Sequence, residues 1–375
     1  MAEYKGLLLS FPIYSLGYFM LGIYVTAGIF AFHIAAVPLI FKYSKKFRRN
    51  LIFANAFRWP LNTDFDDIDK TGLVGARNLY IKFHSKVNDC DMKIGIWHIL
   101  PKSRREKLEG TYGHLNADQY NDLMKDELTN AKTPVILYCH GNSDTRAASH
   151  RMMLYKFFQQ MDFTTIAFDY RGYGDSTRVN PSEAGVVEDT LMVYEWLHSM
   201  LKQSEHKPPL FVWGHSLGTG IAAHLLGNLN RLSAEAGSTK EPLPLPRGLI
   251  LEAPFNNLAE EVANHPLTPL VTWLPYFEEY FVEPFKSCPE HEFKSDGHLV
   301  RVKQLPVLIL HAKDDNVVPY TCGLKLYNTI LESRKDGGAP VSFRSFEKSE
   351  RLGHKYICMA QDLPYIVGEF VAANR

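Results

Sequence analysis

The chain has 375 residues, 46% hydrophobic and 22% charged, which is enough to bury a large core with an appendage besides. Lys+Arg and Asp+Glu balance at 41 each, so no global field points to nucleic acid or an acidic polymer, and no nucleic-acid partner is expected. The five cysteines, Cys90, Cys139, Cys288, Cys322 and Cys358, are scattered and free of C-x-x-C spacing, which argues against a zinc site or a dense disulfide framework.

From Leu7 to Phe41 there is no Asp, Glu, Lys or Arg. About 20 apolar residues cross a bilayer, whereas a signal-peptide apolar region runs about 7 to 15 and ends at a small-residue cleavage site that is not evident here. The expectation is a single transmembrane anchor over roughly Tyr14 to Ile40, with a buried core helix as the alternative. Lys42, Lys45, Lys46, Arg48 and Arg49 follow the span, while Lys5 alone precedes it, beside Glu3. By the positive-inside rule the large domain then lies on the cytosolic side. No N-x-S/T sequon opposes this, since Asn180 is followed by Pro181.

Beyond the anchor, Asn78 to Phe83 and Met92 to Ile99 read as two strands joined by a polar turn. Lys102 to Lys132 reads as a charged surface insertion with one helix near Ala117 to Leu128. Short apolar runs then recur at Val135 to Cys139, Thr164 to Phe168, Leu210 to Trp213, Leu249 to Glu252, Val307 to Leu310 and Val341 to Phe346. Helical patterns lie between most of them, at Thr145 to Met161, Pro181 to Lys202, Thr219 to Leu229 and Thr321 to Arg334, with another at Asp362 to Ala373. Pro181 suits the first turn of its helix. Strands buried on both faces and alternating with helices predict an α/β fold: a mostly parallel sheet flanked by helices.

In such sheets ligands gather at the carboxyl ends of the strands. After the Leu210 run comes Gly-His-Ser-Leu-Gly, and a helix follows. Strand, G-x-S-x-G and helix together describe a nucleophile elbow, which makes Ser216 the candidate nucleophile; a simple N-cap serine is the alternative. After the Val135 run comes His140-Gly-Asn142. Acyl transfer needs two backbone N–H groups aimed at the developing oxyanion, and the elbow geometry assigns them to Leu217 and Asn142. The Val307 run ends in His311-Ala-Lys-Asp-Asp-Asn-Val-Val-Pro319, where Asp314 or Asp315 can orient a catalytic histidine. His354 follows the last strand in a Gly-bearing loop and completes the order Ser, Asp, His.

Phe168-Asp-Tyr-Arg-Gly-Tyr-Gly-Asp-Ser176 reads as a structural turn beside the oxyanion loop, and His215 as a local support. The remaining histidines lack H-E-x-x-H or comparable spacing, so no metal and no cofactor are expected. Between the Leu249 and Val307 runs lies an aromatic insertion that carries Trp273, Tyr276, Phe277 and Phe281. It reads either as packing on the parent core or as an apolar cap that receives an acyl chain.

Together, Leu-Tyr-Cys-His-Gly-Asn, Phe-Asp-Tyr-Arg-Gly-Tyr-Gly-Asp-Ser, Trp-Gly-His-Ser-Leu-Gly-Thr-Gly, Leu-Glu-Ala-Pro-Phe-Asn-Asn, Leu-His-Ala-Lys-Asp-Asp-Asn-Val-Val-Pro and Gly-His-Lys-Tyr-Ile resemble the alpha/beta-hydrolase domain-containing protein twelve family. The resemblance runs from about Leu51 to the C-terminus. It implies an alpha/beta-hydrolase domain over 51–375, with a cap at about 256–300, behind a membrane anchor and basic flank over 1–50. It also implies a membrane-bound serine hydrolase with Ser216, Asp315 and His354 as the triad; D-x-x-V-P is the frequent form of the acid loop in these hydrolases. The implied substrates are lipids, monoacylglycerols and lysophospholipids, notably lysophosphatidylserine. The implied site is the endoplasmic reticulum membrane, crossed once, with the active site on the lumenal or exterior side, opposite to the charge count. The short N-terminal tail and missing sequon depart from the family and bear on topology rather than chemistry. Two competing readings are a protein depalmitoylase and a hydrolase fold kept as a binding scaffold. The first is weakened by the absence of cysteine in residues 1–41, the second by the intact triad set.

Overall fold

The computed structural model describes residues 19–112, 114–237, 241–286 and 288–375. Eight strands form one sheet: β1 (Ala76–Ser85), β2 (Cys90–Ile99), β3 (Val135–Cys139), β4 (Thr164–Phe168), β5 (Leu210–His215), β6 (Gly248–Glu252), β7 (Val307–Ala312) and β8 (Val341–Phe346). Their spatial order is β1-β2-β4-β3-β5-β6-β7-β8. β1 pairs with β2, and β2 with β4, antiparallel; every later pair is parallel. β3 through β7 are buried along their whole length, as two-faced apolar strands must be. Their side chains alternate between two cores. Ile136, Tyr138 and Trp213 pack with Phe158 on one face, while Leu137, Val212 and Ile309 pack with Ile221 on the other.

The N-terminal helix α1 (Phe19–Tyr43) is long and apolar enough to cross a membrane, and little of it is buried against the rest of the chain. Of the expected span, positions 14–18 lie outside the described residues. The helix also continues past Ile40, because Lys42 does not stop it: its ammonium pairs with Glu279 and lies 4.3 Å from the Tyr280 ring centre. A second helix, α2 (Lys45–Phe53), starts where the Ser44 hydroxyl accepts from Phe47 N, and it buries Ile52 and Phe53 in the core.

The sheet is covered by α3 (Ser149–Gln160), α4 (Glu183–Leu201), α5 (Leu217–Gly227), α6 (Leu258–Asn264), α7 (Tyr320–Ser333) and α8 (Leu363–Ala373). Two sequence expectations are corrected. The 102–132 insertion holds two helices, Lys102–Tyr112 and Ala117–Thr129, the second begun by a capping box of Asn116 and Gln119. Pro181 precedes α4 instead of opening it, since Ser182 is the N-cap and its side chain accepts from Gly185 N. A serine that can satisfy a free N–H sets the boundary more firmly than a fixed φ does.

Candidate active site

β5 runs directly into α5, and the whole change of direction falls on Ser216, with φ 52° and ψ −120°. A non-glycine residue holds such a backbone only where its surroundings enforce it. Here Ser216 N donates to Glu252 O at 2.9 Å, and Ser216 O accepts from the Thr219 amide at 2.9 Å and the Thr219 hydroxyl at 2.6 Å. The flanking glycines are steric requirements. A Cβ on Gly214 would lie 2.6 Å from Gly218 O, and one on Gly218 would lie 2.0 Å from Cys139 O.

The His140-Gly-Asn142 loop passes against this elbow: a Cβ on Gly141 would stand 3.0 Å from His215 Nδ1 and 3.1 Å from Ser216 Cβ. Arg151 on α3 fixes the loop's direction. Its guanidinium donates to the carbonyls of Thr145 (2.6 Å), Gly141 (3.0 Å), Ser143 (3.0 Å) and Asn142 (3.3 Å). With those carbonyls drawn toward Arg151, the N–H of Asn142 donates to no other group among the described residues, and the same holds for Leu217 N–H. Both residues line one cavity with Ser216.

His354 is brought beside the elbow by its own backbone: His215 Nε2 donates to His354 O at 2.9 Å, and the two rings lie 4.9 Å apart. Burial, followed by the His354 charge, pushes the His215 pKa down to about 3, so its imidazole is neutral and serves as a support. His354 Nδ1 is 2.8 Å from Asp315 Oδ2. The other Asp315 oxygen accepts from Val317 N and Val318 N, each at 2.9 Å. Burial alone would raise this carboxyl, but hydrogen bonds from His311 and His354 outweigh it and hold the pKa well below the carboxylate range. Asp314 faces elsewhere and accepts from Gly353 N at 3.0 Å. Ser216 and His354 are each 7% exposed, open enough to be reached yet largely shielded from water.

The cavity above Ser216 has a volume of about 640 Å³. Phe277 and Phe281 line it, as do Leu258 and Val262 of α6 and Phe255 just before it. Of the other aromatics expected at the substrate, Trp273 stacks on Phe30 and His33 of α1, and the Tyr276 hydroxyl donates to Ile34 O. Those two therefore join the cap to the membrane helix. Residues from α1 and α2 also line the cavity, among them His33, Val37, Phe41 and Ile52. Nothing in the local pattern near Arg151 marked its role, whereas His33, the one histidine in the charge-free run, was a legible signal.

The 168–176 turn is structural. Arg146 binds Asp169 at 2.5 Å and Asp175 at 2.7 Å, and the Ser176 hydroxyl bridges Asp169 O and Gly95 N. Glu183, His224 and His298 place three potential metal-ligand atoms within 4.8 Å of one another, away from the cavity. These groups have protein partners: His224 Nδ1 is 2.6 Å from Glu183 Oε1, Glu183 Oε2 accepts from Phe293 N, and His298 Nδ1 is 2.9 Å from Asn228 Nδ2.

The mixed sheet with its elbow between β5 and α5 defines an alpha/beta hydrolase, and the family model of that fold matches residues 134–233. The fold is shared with the Pyrococcus furiosus esterase Pf2001, with a TM-score of 0.50 at 15% identity over 80% of this chain and 91% of that one. Much nearer in sequence are the lysophosphatidylserine lipases ABHD12 of Danio rerio, 34% identical over 94% of this chain and 82% of that protein, and of Bos taurus, 34% identical over 99% and 82%. Human protein ABHD12B is 32% identical over 86% of this chain and 79% of its own. The chain belongs to the ABHD12 family of hydrolases.

Proposed function

We propose that the protein is a membrane-anchored serine esterase of the endoplasmic reticulum that removes the single acyl chain of lysophospholipids, lysophosphatidylserine foremost, and of monoacylglycerols. The observation that carries this reading is the Ser216 elbow opening on a largely apolar cavity together with the Asn142 and Leu217 N–H groups, unpaired among the described residues, while the His354–Asp315 pair lies beside the elbow through the His215–His354 contact. Residues 1–50 serve as anchor and basic flank, 51–375 as the catalytic unit, and 256–300 as its cap.

His354 takes the Ser216 proton as the hydroxyl attacks the ester carbonyl, and Asp315 holds the imidazole in the required tautomer and stabilises its charged form. The Asn142 and Leu217 N–H groups receive the oxyanion. His354 then protonates the departing glycerol oxygen, and water, activated by the same imidazole, releases the fatty acid from Ser216. A cavity of about 640 Å³ lies within the range of sites that enclose one small ligand, which favours a single-chain lipid.

Membranes expressing the wild type are expected to hydrolyse lysophosphatidylserine and monoacylglycerol and to take up a fluorophosphonate label. Ser216→Ala should abolish the label and lower hydrolysis at least about 10³-fold. Undiminished labelling or turnover in that variant would sink the assignment.

A further inference from the structure

The membrane helix enters the catalytic cavity. His33, Val37 and Phe41 recur at intervals of four along α1, on one face, and line the cavity that Ser216, Asn142 and Leu217 line from the other side. The cause is written in the sequence as Pro38. Proline has no N–H, so Ile34 O has no helical donor four residues on, and the helix passes through a π-turn at Phe32–Ala36. The Ile34 carbonyl, deprived of that donor, accepts the Tyr276 hydroxyl from the cap. At the preceding residue, His33 Nε2 is 2.8 Å from Leu270 O, and its ring stacks on Trp273. Further along, Phe41 meets Phe281 at 4.8 Å. An imidazole in an apolar span is costly unless it faces a polar partner, and this one has a partner on the cap.

The outer edge of this joint is apolar and open. Leu267, Leu270 and Trp273 on the cap are 65%, 60% and 55% exposed, beside the exposed Ile29 and Phe30 of α1. Such a rim is unfavourable in water and favourable in acyl chains. The uncharged run from Leu7 to Phe41 also exceeds the roughly 20 residues a bilayer needs, which leaves its C-terminal part free to build protein structure.

We infer that α1 is a wall of the acyl-binding site, and that a single acyl chain passes from the bilayer to Ser216 along the His33, Val37 and Phe41 face, between α1 and the cap rim at Leu267 to Trp273. The inference rests on the esterase reading of the cavity. The anchor is thereby a part of the binding site as well as a tether, and a catalytic unit cut from it lacks one side of its substrate channel.

The test uses the full chain in phosphatidylcholine vesicles, with monooleoylglycerol as the long-chain ester and p-nitrophenyl acetate as the short one. Val37→Trp fills the α1 wall and should lower the ratio of kcat/KM for monooleoylglycerol to that for p-nitrophenyl acetate at least tenfold. An unchanged ratio overturns the inference. Because the larger side chain can disturb folding, a second measurement uses Ser216→Ala protein and a monoacylglycerol with a diazirine on its acyl chain. Photo-adducts are expected within residues 30–43, and adducts confined to the other cavity walls overturn the inference. A wild type that hydrolyses neither ester overturns the esterase reading alone, since the adduct map still tests the channel.

Discussion

Asp314 and Asp315 are chemically identical neighbours, and only their hydrogen bonds separate them. Asp315 gives one oxygen to two backbone amides and the other to His354 Nδ1, whereas Asp314 receives Gly353 N–H. In the proposed triad an amide at 315 would present an N–H where the imidazole needs an acceptor and so favour the wrong tautomer. Asp315→Asn is therefore expected to lower kcat by about 10⁴, and Asp314→Asn by less than about tenfold, with p-nitrophenyl acetate as substrate. Equal losses in the two variants would remove Asp315 from its role. His215 shows the same dependence on environment. Buried and neutral, it acts through the His354 carbonyl.

The elbow is an element in which each small residue is imposed by a neighbour. Gly218 lies against the end of β3, so that a methyl group there would fall 2.0 Å from a backbone oxygen that cannot swing away. Gly218→Ala is expected to destabilise the fold by more than about 3 kcal/mol, read as a lowered thermal midpoint in detergent. A midpoint within about 2 °C of the wild type, what half a kcal/mol produces, would show that the strand and helix can separate at little cost. The same crowding shapes the cavity. Because Gly141 lets the His140-Gly-Asn142 loop approach Ser216 closely, the Asn142 and Leu217 amides open on one cavity, and Arg151 anchors the loop from behind through four carbonyls.

At the scale of the whole molecule, the sheet core contains a carboxyl that sets a pH dependence. Glu252, 2% exposed at the end of β6, is pushed up to about 7 by burial, partly offset by the Trp213 indole N–H at 2.8 Å. In the unfolded chain it titrates near 4.5. Between these values the folded state binds the extra proton, so stability from this group is complete below about pH 4.5, declines as pH rises through 7, and levels off above that. The decline is on the order of 3 kcal/mol. Glu252→Gln cannot ionise and should flatten the fall in denaturant midpoint between about pH 5 and 8; an unaltered slope would show that Glu252 is charged throughout. The cap, α1 and α2 close over one face of the sheet, so the apolar N-terminal helix and the Ser216 elbow share one cavity.

Read alone, the residues determined the alternating strands and helices, the elbow at Ser216 and the apolar span, because each is a local pattern: period, length, or small residues flanking a turn. Local pattern also marked His354 and the pair Asp314 and Asp315 as candidates. It could not choose between the two aspartates by geometry, since that choice depends on where a loop 39 residues away places its imidazole. Nor could it foresee Arg151 behind the His140-Gly-Asn142 loop, the direction of Trp273 and Tyr276 toward α1, or His33 and Val37 in the cavity wall. Those contacts join segments as many as 242 residues apart, and side chains so distant in sequence meet only when burial of the two sheet faces has fixed the whole fold.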